Sequence, residues 1–119
     1  MSFFTKNIKS IGALLFATAL ILFSVDTETI TEKYFIGKWQ SSKLETPIYL
    51  FANGEWEIKK DDGAVLQFGV WQYMGEKIIW SYTAGTIVEH DVNTVLSVTS
   101  QEFQLQENDR TTSTFKRLE

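Results

Sequence analysis

Glu89-His90-Asp91 is the cluster of this sequence that most resembles catalytic machinery, because a histidine beside carboxylates can transfer protons. His90 is also the single histidine of the chain. Neighbouring side chains on a strand point to opposite faces, so His90 and the two acids cannot meet as a catalytic pair. We therefore predict that the cluster holds no catalytic residue.

The role left to His90 depends on the face that it occupies. It shares a face with Val88 and Val92, which predicts that it points toward the interior. A histidine in such a place either forms a hydrogen bond within the core or provides a polar contact in a ligand cavity.

The remaining residue types favour neither an enzyme nor a metal protein. There is no cysteine, so thiolate nucleophiles, thiolate metal sites and disulfides are excluded. The acids Asp61 and Asp62, with Glu55 and Glu57, lack EF-hand spacing and are typical of a solvated hairpin. No serine or threonine lies in a recognisable nucleophile motif. We expect no enzymatic activity, no metal and no cofactor.

Composition limits the size of the protein and the class of its partners. The 119 residues are 44% hydrophobic and 22% charged, which suits one globular domain. The net charge is −4 and no stretch is basic, so nucleic acid is not expected as a partner.

The N-terminus has the pattern of an export signal. Residues 1–10 contain Lys6 and Lys9 and no acid, and residues 11–25 (IGALLFATALILFSV) carry no charge. A spanning helix needs about 20 apolar residues, so an uncleaved signal anchor and a buried helix are the alternatives. We expect residues 1–25 to form a hydrophobic signal helix that exports the protein to the periplasm or beyond the cell. Membrane contact is expected only through residues 11–25, if they are retained.

After a linker expected at 26–34, residues 35–119 show a period of two and frequent turn residues. Asn53-Gly54 is the strongest hairpin signal, since both central residues of a type I′ turn need positive φ. We expect eight strands, at about residues 35–43, 47–52, 55–60, 64–74, 77–83, 86–98, 102–107 and 111–118. Short links and the need to avoid exposed edges predict an all-β, antiparallel up-and-down barrel, with a two-sheet sandwich as the alternative.

Alternation along the strands predicts the inner face. Trp56 with Ile58, Ile78 with Trp80 and Tyr82, and Phe103 with Leu105 are each opposed by more polar neighbours. Residues 64–74 are apolar on both sides, and Gly69 suggests a bulge that shifts the inner face from Leu66 and Phe68 to Trp71 and Tyr73.

Gly37-Lys38-Trp39 opens the first strand, and Phe115-Lys116-Arg117 closes the last. The pair resembles the pattern of the lipocalin (calycin) family, and residues 35–118 are similar to small, exported, bacterial lipocalin-like domains. The resemblance implies that Trp39 plugs a closed end of the barrel, that Gly37 lies beside it, and that Arg117 packs across the indole. Such packing gains about 1–2 kcal/mol of cation–π energy.

Two functions follow from this fold. The first is binding of a small hydrophobic or amphipathic ligand at the open end. The second is docking of a protein partner in the cell envelope through the loops or the outer wall. For the first, we place the turns near 44–46, 61–63, 84–85 and 99–101 at the open rim, and those at 53–54, 75–76 and 108–109 at the closed end. The candidate ligand-binding residues are then Tyr82, His90, Ile58, Leu66, Val88 and Tyr49.

Overall fold

The computed structural model describes residues 29–119, so the expected signal helix lies outside the described residues. Residues Thr31–Glu119 form one compact unit. Its first element is a 3-10 helix, Glu32–Phe35, at the end of the segment expected to be a linker. Within residues 29–119, no helix has the length and apolar character needed to span a membrane.

Eight antiparallel strands follow in sequence order and close into a barrel. They are β1 Gly37–Ser41, β2 Ile48–Leu50, β3 Glu55–Lys59, β4 Val65–Met74, β5 Lys77–Ala84, β6 Ile87–Val98, β7 Glu102–Gln106 and β8 Thr112–Arg117. The prediction of an all-β, eight-stranded up-and-down barrel is confirmed.

The barrel closes where β1 pairs with β8, with Trp39 opposite Arg117 and Ser41 opposite Phe115. Closure pairs the two strands that would otherwise be free edges, and so it removes the sites at which another chain could add a strand. The buried side chains of the strands are Trp39, Ser41, Ile48, Leu50, Trp56, Trp71, Ile78, Trp80, Asn93, Val95, Phe103, Leu105, Ser113 and Phe115. The inner faces predicted for β3, β5 and β7 therefore match the structure.

The inner face predicted for β4 is wrong at Leu66 and Phe68 and correct at Trp71 and Tyr73. Leu66 and Phe68 lie on the outer wall, and Gly69 is on the inner side with Trp71. The ladder between β3 and β4 is continuous from Glu55↔Val70 to Ile58↔Gln67, and its irregularity lies farther on, between Ile58 and Lys59. Gly69 makes no bulge: a Cβ there would overlap the carbonyl oxygen of Ser81 and crowd the indole of Trp56. The glycine therefore provides room for a core tryptophan.

The predicted inner face of β6 is wrong as well. Val88 and Val92 are exposed, whereas Asn93 and Val95 are buried. His90 belongs to the outward set, since side chains alternate along the strand. The irregularity of this strand lies between Val95 and Ser97.

The strands run alternately toward the two ends of the barrel, which fixes where each turn lies. The links 42–47, 60–64, 85–86 and 107–111 are at the open end, and the links 51–54, 75–76 and 99–101 are at the closed end. The expected positions of 99–101 and 108–109 are therefore wrong and must be exchanged. The chain reverses at every turn, so the turn after an open-end one must be at the closed end.

The closed end is sealed around Trp39, which is fully buried. Its indole Nε1 donates a hydrogen bond of 2.9 Å to the carbonyl oxygen of Phe35. The guanidinium carbon of Arg117 lies over the Trp39 ring, 4.2 Å from its centroid. The ring of Phe35 packs edge-on against Phe103, with centroids 5.0 Å apart.

Arg117 also ties three segments of backbone together. Its guanidinium donates to the carbonyl oxygens of Ser100 at 2.7 Å, Ile36 at 3.0 Å and Tyr34 at 3.3 Å. Gly37 permits this approach, because a Cβ at that position would overlap the guanidinium, and its φ of 143° disfavours other residues. The planar fork of donors suits this task in a way that a lysine ammonium does not.

Replacing Trp39 with alanine should lower the free energy of unfolding by about 3–5 kcal/mol, the usual cost of truncating a buried aromatic side chain. Phe68→Ala is the matched control, since Phe68 is 64% exposed and its truncation should cost less than about 0.5 kcal/mol. Urea denaturation of both variants measures the difference. A loss below about 1 kcal/mol for Trp39→Ala would contradict its role as the plug.

Candidate functional site

The open end of the barrel holds a cup of about 550 Å³. Its wall combines aromatic, aliphatic and polar side chains from seven strands and two mouth loops. The lining residues are Ser41, Lys43, Leu44, Ile48, Trp56, Ile58, Gln67, Trp80, Tyr82, Asp91, Asn93, Glu107, Asn108, Asp109 and Phe115. The volume is within the range of about 300–1,000 Å³ that is usual for small-molecule sites.

Three aromatic rings form the apolar part of the cup. The indoles of Trp56 and Trp80 meet edge to face with centroids 6.1 Å apart, and Trp80 stacks on Phe115 at 6.2 Å. Below them, Phe115 stacks on Phe103 at 4.5 Å, which connects the cup to the packing around the plug. The cup is therefore the unfilled part of one continuous aromatic core.

Asn93 adds a polar group to this apolar wall. Its Oδ1 accepts a hydrogen bond of 2.7 Å from the indole Nε1 of Trp80. An indole can only donate, so the carbonyl end of the Asn93 amide must face Trp80. The amide nitrogen is left without a partner, although the residue is only 3% exposed. An unpaired buried donor costs about 1–3 kcal/mol, a cost that a ligand acceptor would remove.

The indole Nε1 of Trp56 is a second buried donor without a partner. It lies against the backbone of Gly69, where the missing side chain leaves it space. Trp56 and Asn93 both line the cup. The described part of the chain thus leaves two unsatisfied donors, and both belong to residues of the same cavity.

Tyr82 and Asp91 lie together at the mouth of the cup. The negative charge of Asp91, followed by desolvation and the charge of Glu89, raises the pKa of the Tyr82 phenol above its ordinary value. The phenol therefore stays protonated at neutral pH. Its hydroxyl donates to the Asp91 carboxylate, and its oxygen can accept a hydrogen bond from a ligand at the mouth.

The loop 107–111 supplies more carboxylates to the mouth. Asp109 accepts hydrogen bonds from the hydroxyl and the amide of Thr111, which hold its pKa below the ordinary value and keep it ionised. Glu107 accepts a hydrogen bond from the hydroxyl of Ser113. Across the mouth, Lys43 Nζ donates to the hydroxyl of Thr111 at 2.5 Å. The mouth therefore holds several negative charges and one positive charge.

The structure brings two of the six expected ligand-binding residues into the cup. Tyr82 lines the cup at its mouth, and Ile58 lines it from β3. Leu66 and Val88 do not, because they lie on the outer wall with more than half of their surface exposed. On the strands that carry them, the side chains that were predicted to point inward at these positions point outward.

His90 is also outside the cup, where its Nδ1 lies 2.7 Å from the hydroxyl of Ser81 on the outer wall. The pair has the composition of a nucleophile and a base. The neighbouring acids Glu89 and Asp91 alternate to the inner side, so neither can orient the imidazole. The geometry gives the pair a hydrogen bond across β5 and β6.

Tyr49 faces outward from β2 and does not reach the cup. Its ring stacks on Phe51 at 6.2 Å, with the ammonium groups of Lys59 and Lys38 at 4.7 Å and 5.5 Å from the ring centroid. The residue belongs to a cation–π cluster on the polar side of the wall. Tyr49 is therefore not among the residues that line the cup.

Sequence reasoning missed Asn93, Asp91, Glu107 and Asp109 as residues of the cup. An amide between Val92 and Val95 is the sequence signal of a buried polar contact at Asn93. The acids of the loop 107–111 carry no local signal, because their place at the mouth depends on the alternation of turns along the chain. Within residues 29–119, no group of three or more histidine and acidic residues is arranged to hold a metal ion.

The outer wall of β4, β5 and β6 is unusually apolar. The apolar side chains that cover it are between 42% and 64% exposed, and they are Leu66, Phe68, Val70, Val88 and Val92. The outward positions between the strand ends carry no acid, lysine or arginine. By contrast, the outward residues of β3 are Glu55, Glu57 and Lys59.

The chain was compared with protein-family models, with curated proteins and with solved structures, and none of the three comparisons finds a match.

Proposed function

We propose that this chain is an exported, non-enzymatic barrel of the lipocalin-like type that binds a small hydrophobic or amphipathic molecule in the open-end cup. The observation that carries the proposal is the cup itself. It is about 550 Å³ in volume, it has walls of Trp56, Trp80 and Phe115, and one of its buried amides lacks a partner. A mostly apolar cavity with a few polar groups is typical of ligand sites.

The arrangement of the closed end supports the lipocalin-like part of the proposal. Trp39 lies under Arg117 next to Gly37, as the resemblance implies for such barrels. One end is sealed by this group and the opposite end holds the cavity. A ligand would therefore enter and leave through the mouth formed by the loops 42–47, 60–64, 85–86 and 107–111.

The absence of catalysis is proposed from the chemistry of the cup. Its polar groups are carboxylates, amides, one phenol, one hydroxyl and one ammonium. His90, the single histidine of the chain, is on the other side of the wall. A binding role uses every group that the cup contains without requiring a nucleophile.

A second candidate function is docking of a protein of the cell envelope on the outer wall of β4–β6. The exposed Phe68, Leu66 and Val88 favour it, since large exposed apolar patches on small soluble proteins often mark interaction sites. The lack of carboxylates on this face suits a partner with an uncharged, apolar surface.

Export is the expected localisation, to the periplasm or the extracellular space. It rests on the basic and apolar pattern of residues 1–25. A retained signal segment would anchor the barrel to the membrane and is compatible with either function.

The cup should bind one molecule of N-phenyl-1-naphthylamine, an uncharged fluorescent probe, per chain. Ile58→Gln and Tyr82→Ala should each weaken binding by about tenfold, or about 1.4 kcal/mol. The control is Phe68→Gln, which changes the outer wall and should leave the affinity unchanged. Equal losses in the cup and wall variants, or no saturable binding, would rule out the cup as the site.

Docking on the outer wall predicts a position-specific crosslink in cells. A photoreactive amino acid at position 68 should give one discrete adduct, while the same group at position 57 on the polar wall should give none. The mass of the adduct separates a partner protein from a second copy of the chain. Adducts of equal yield from both positions would argue against a docking surface.

Residues 1–27 should export a phosphatase reporter that lacks its own signal. Leu20→Arg combined with Leu22→Arg is the control, since two charges within the apolar run should abolish export. Reporter activity in the periplasm measures the result. A reporter that stays in the cytoplasm with the unaltered segment would remove the proposed localisation.

A further inference from the structure

The charge at the mouth of the cup is unbalanced. Asp91, Glu107 and Asp109 line the cavity, and Lys43 is its single cationic side chain. Within residues 29–119 the ion pairs are Lys38–Glu119 and Lys59–Glu57, and neither is in the cup. The carboxylates are held instead by hydroxyl and amide donors, which leave their negative charge in place.

The buried amide of Asn93 is an independent sign of a ligand. Trp80 fixes the orientation of this amide through the hydrogen bond to Oδ1, so Nδ2 is presented on the other side as a donor without a partner. Such a group is satisfied by an acceptor such as an ether, hydroxyl or carbonyl oxygen. It lies among the aromatic rings, on the same strand as Asp91 and two residues farther from the mouth.

We propose that the ligand of the cup is an amphiphilic organic cation: an ammonium group at the mouth, an aromatic or aliphatic body in the cavity, and a hydrogen-bond acceptor at its deep end. This inference rests on the proposed binding function and names the chemical class of the ligand. The ammonium lies among Asp91, Glu107 and Asp109, the body packs on the rings, and the acceptor meets Asn93.

Physical chemistry separates this class from the alternatives. An ammonium near several carboxylates gains attraction that an uncharged group does not, and the low-dielectric wall of the cup strengthens it. A carboxylate or sulfonate at the same place is repelled. The protonated phenol of Tyr82, hydrogen-bonded to Asp91, adds an acceptor oxygen and an aromatic edge at the mouth without adding charge.

A set of naphthalene probes tests the charge with the apolar body held constant. The full-length protein is titrated calorimetrically with 1-naphthylmethylamine, 1-naphthalenemethanol and 1-naphthoate. The amine should bind at least about tenfold more tightly than the alcohol, and the naphthoate should be the weakest of the three. High salt should reduce this preference.

Two variants assign the effect to the mouth. Asp91→Asn and Glu107→Gln should each reduce the affinity for the amine while leaving that for the alcohol unchanged. Glu55→Gln removes a matched carboxylate from the outer wall of β3 and should change neither affinity. Thermal melting establishes that each variant is folded, and either of the two mouth variants suffices for the test.

The acceptor is tested by adding a methoxy group at ring position 4, opposite the aminomethyl group. This probe should bind more tightly than 1-naphthylmethylamine, and it should shift the NMR signals of the Asn93 side-chain amide farther downfield than 1-naphthylmethylamine does. No gain in affinity and no additional shift would overturn the assignment of the acceptor to Asn93.

The remaining outcomes separate the two proposals. Saturable binding of amine and alcohol with equal affinity would overturn the cationic class while leaving a binding function. If no probe saturates the protein, the cationic class and the cup as a ligand site both fail.

Discussion

The indole of Trp39 is held between the Phe35 carbonyl, which accepts its hydrogen bond, and the Arg117 guanidinium, which covers its ring. This contact joins the 3-10 helix, β1 and β8, and Arg117 extends it to the turn at Ser100. Small barrels have a bore that side chains can just fill. Trp39 and Phe35 fill the closed end, and the aromatic rings that stack above them do not fill the open end. The cup is therefore a consequence of how the opposite end is sealed.

The space left at the open end is shaped by unequal strands. β4, β5 and β6 span 10, 8 and 12 residues, while β1, β2, β3, β7 and β8 span between 3 and 6. One side of the mouth is therefore a wall of strand and the other is made of loops. The strands contribute Tyr82 and Asp91 and the loops contribute Lys43, Glu107 and Asp109. The polar groups gather where the two sides meet the solvent.

Much of the fold could be predicted from the sequence, because turn signals and a period of two are local properties. The inner faces of β3, β5 and β7 also follow, since each has one clearly apolar side. The inward-facing residues of β4 and β6 could not be identified in this way. On β4, Phe68 is more apolar than Gly69, yet Gly69 faces inward because only a glycine leaves room for Trp56. On β6, Val92 is more apolar than Asn93, yet Asn93 faces inward because Trp80 needs an acceptor. These are tertiary requirements, which no window along the chain contains.

The outward position of apolar residues on β4 and β6 explains why the structure supports two candidate functions. On β4 and β6, polar or small residues face the cavity while Phe68, Leu66 and Val88 face outward. A barrel that only needed stability would place those side chains inside, where each would gain about 1.5–3 kcal/mol by burial. In this barrel, Asn93 and Asp91 occupy inner positions and contribute polar groups to the cup. The apolar residues cover the outer wall. The donors left unpaired at Trp56 and Asn93 are the cost of this arrangement inside the barrel. The unpaired donors and the exposed apolar side chains both lie on strands that border the cup. A ligand in the cup would pair the donors, and a partner on the outer wall would independently cover the apolar side chains.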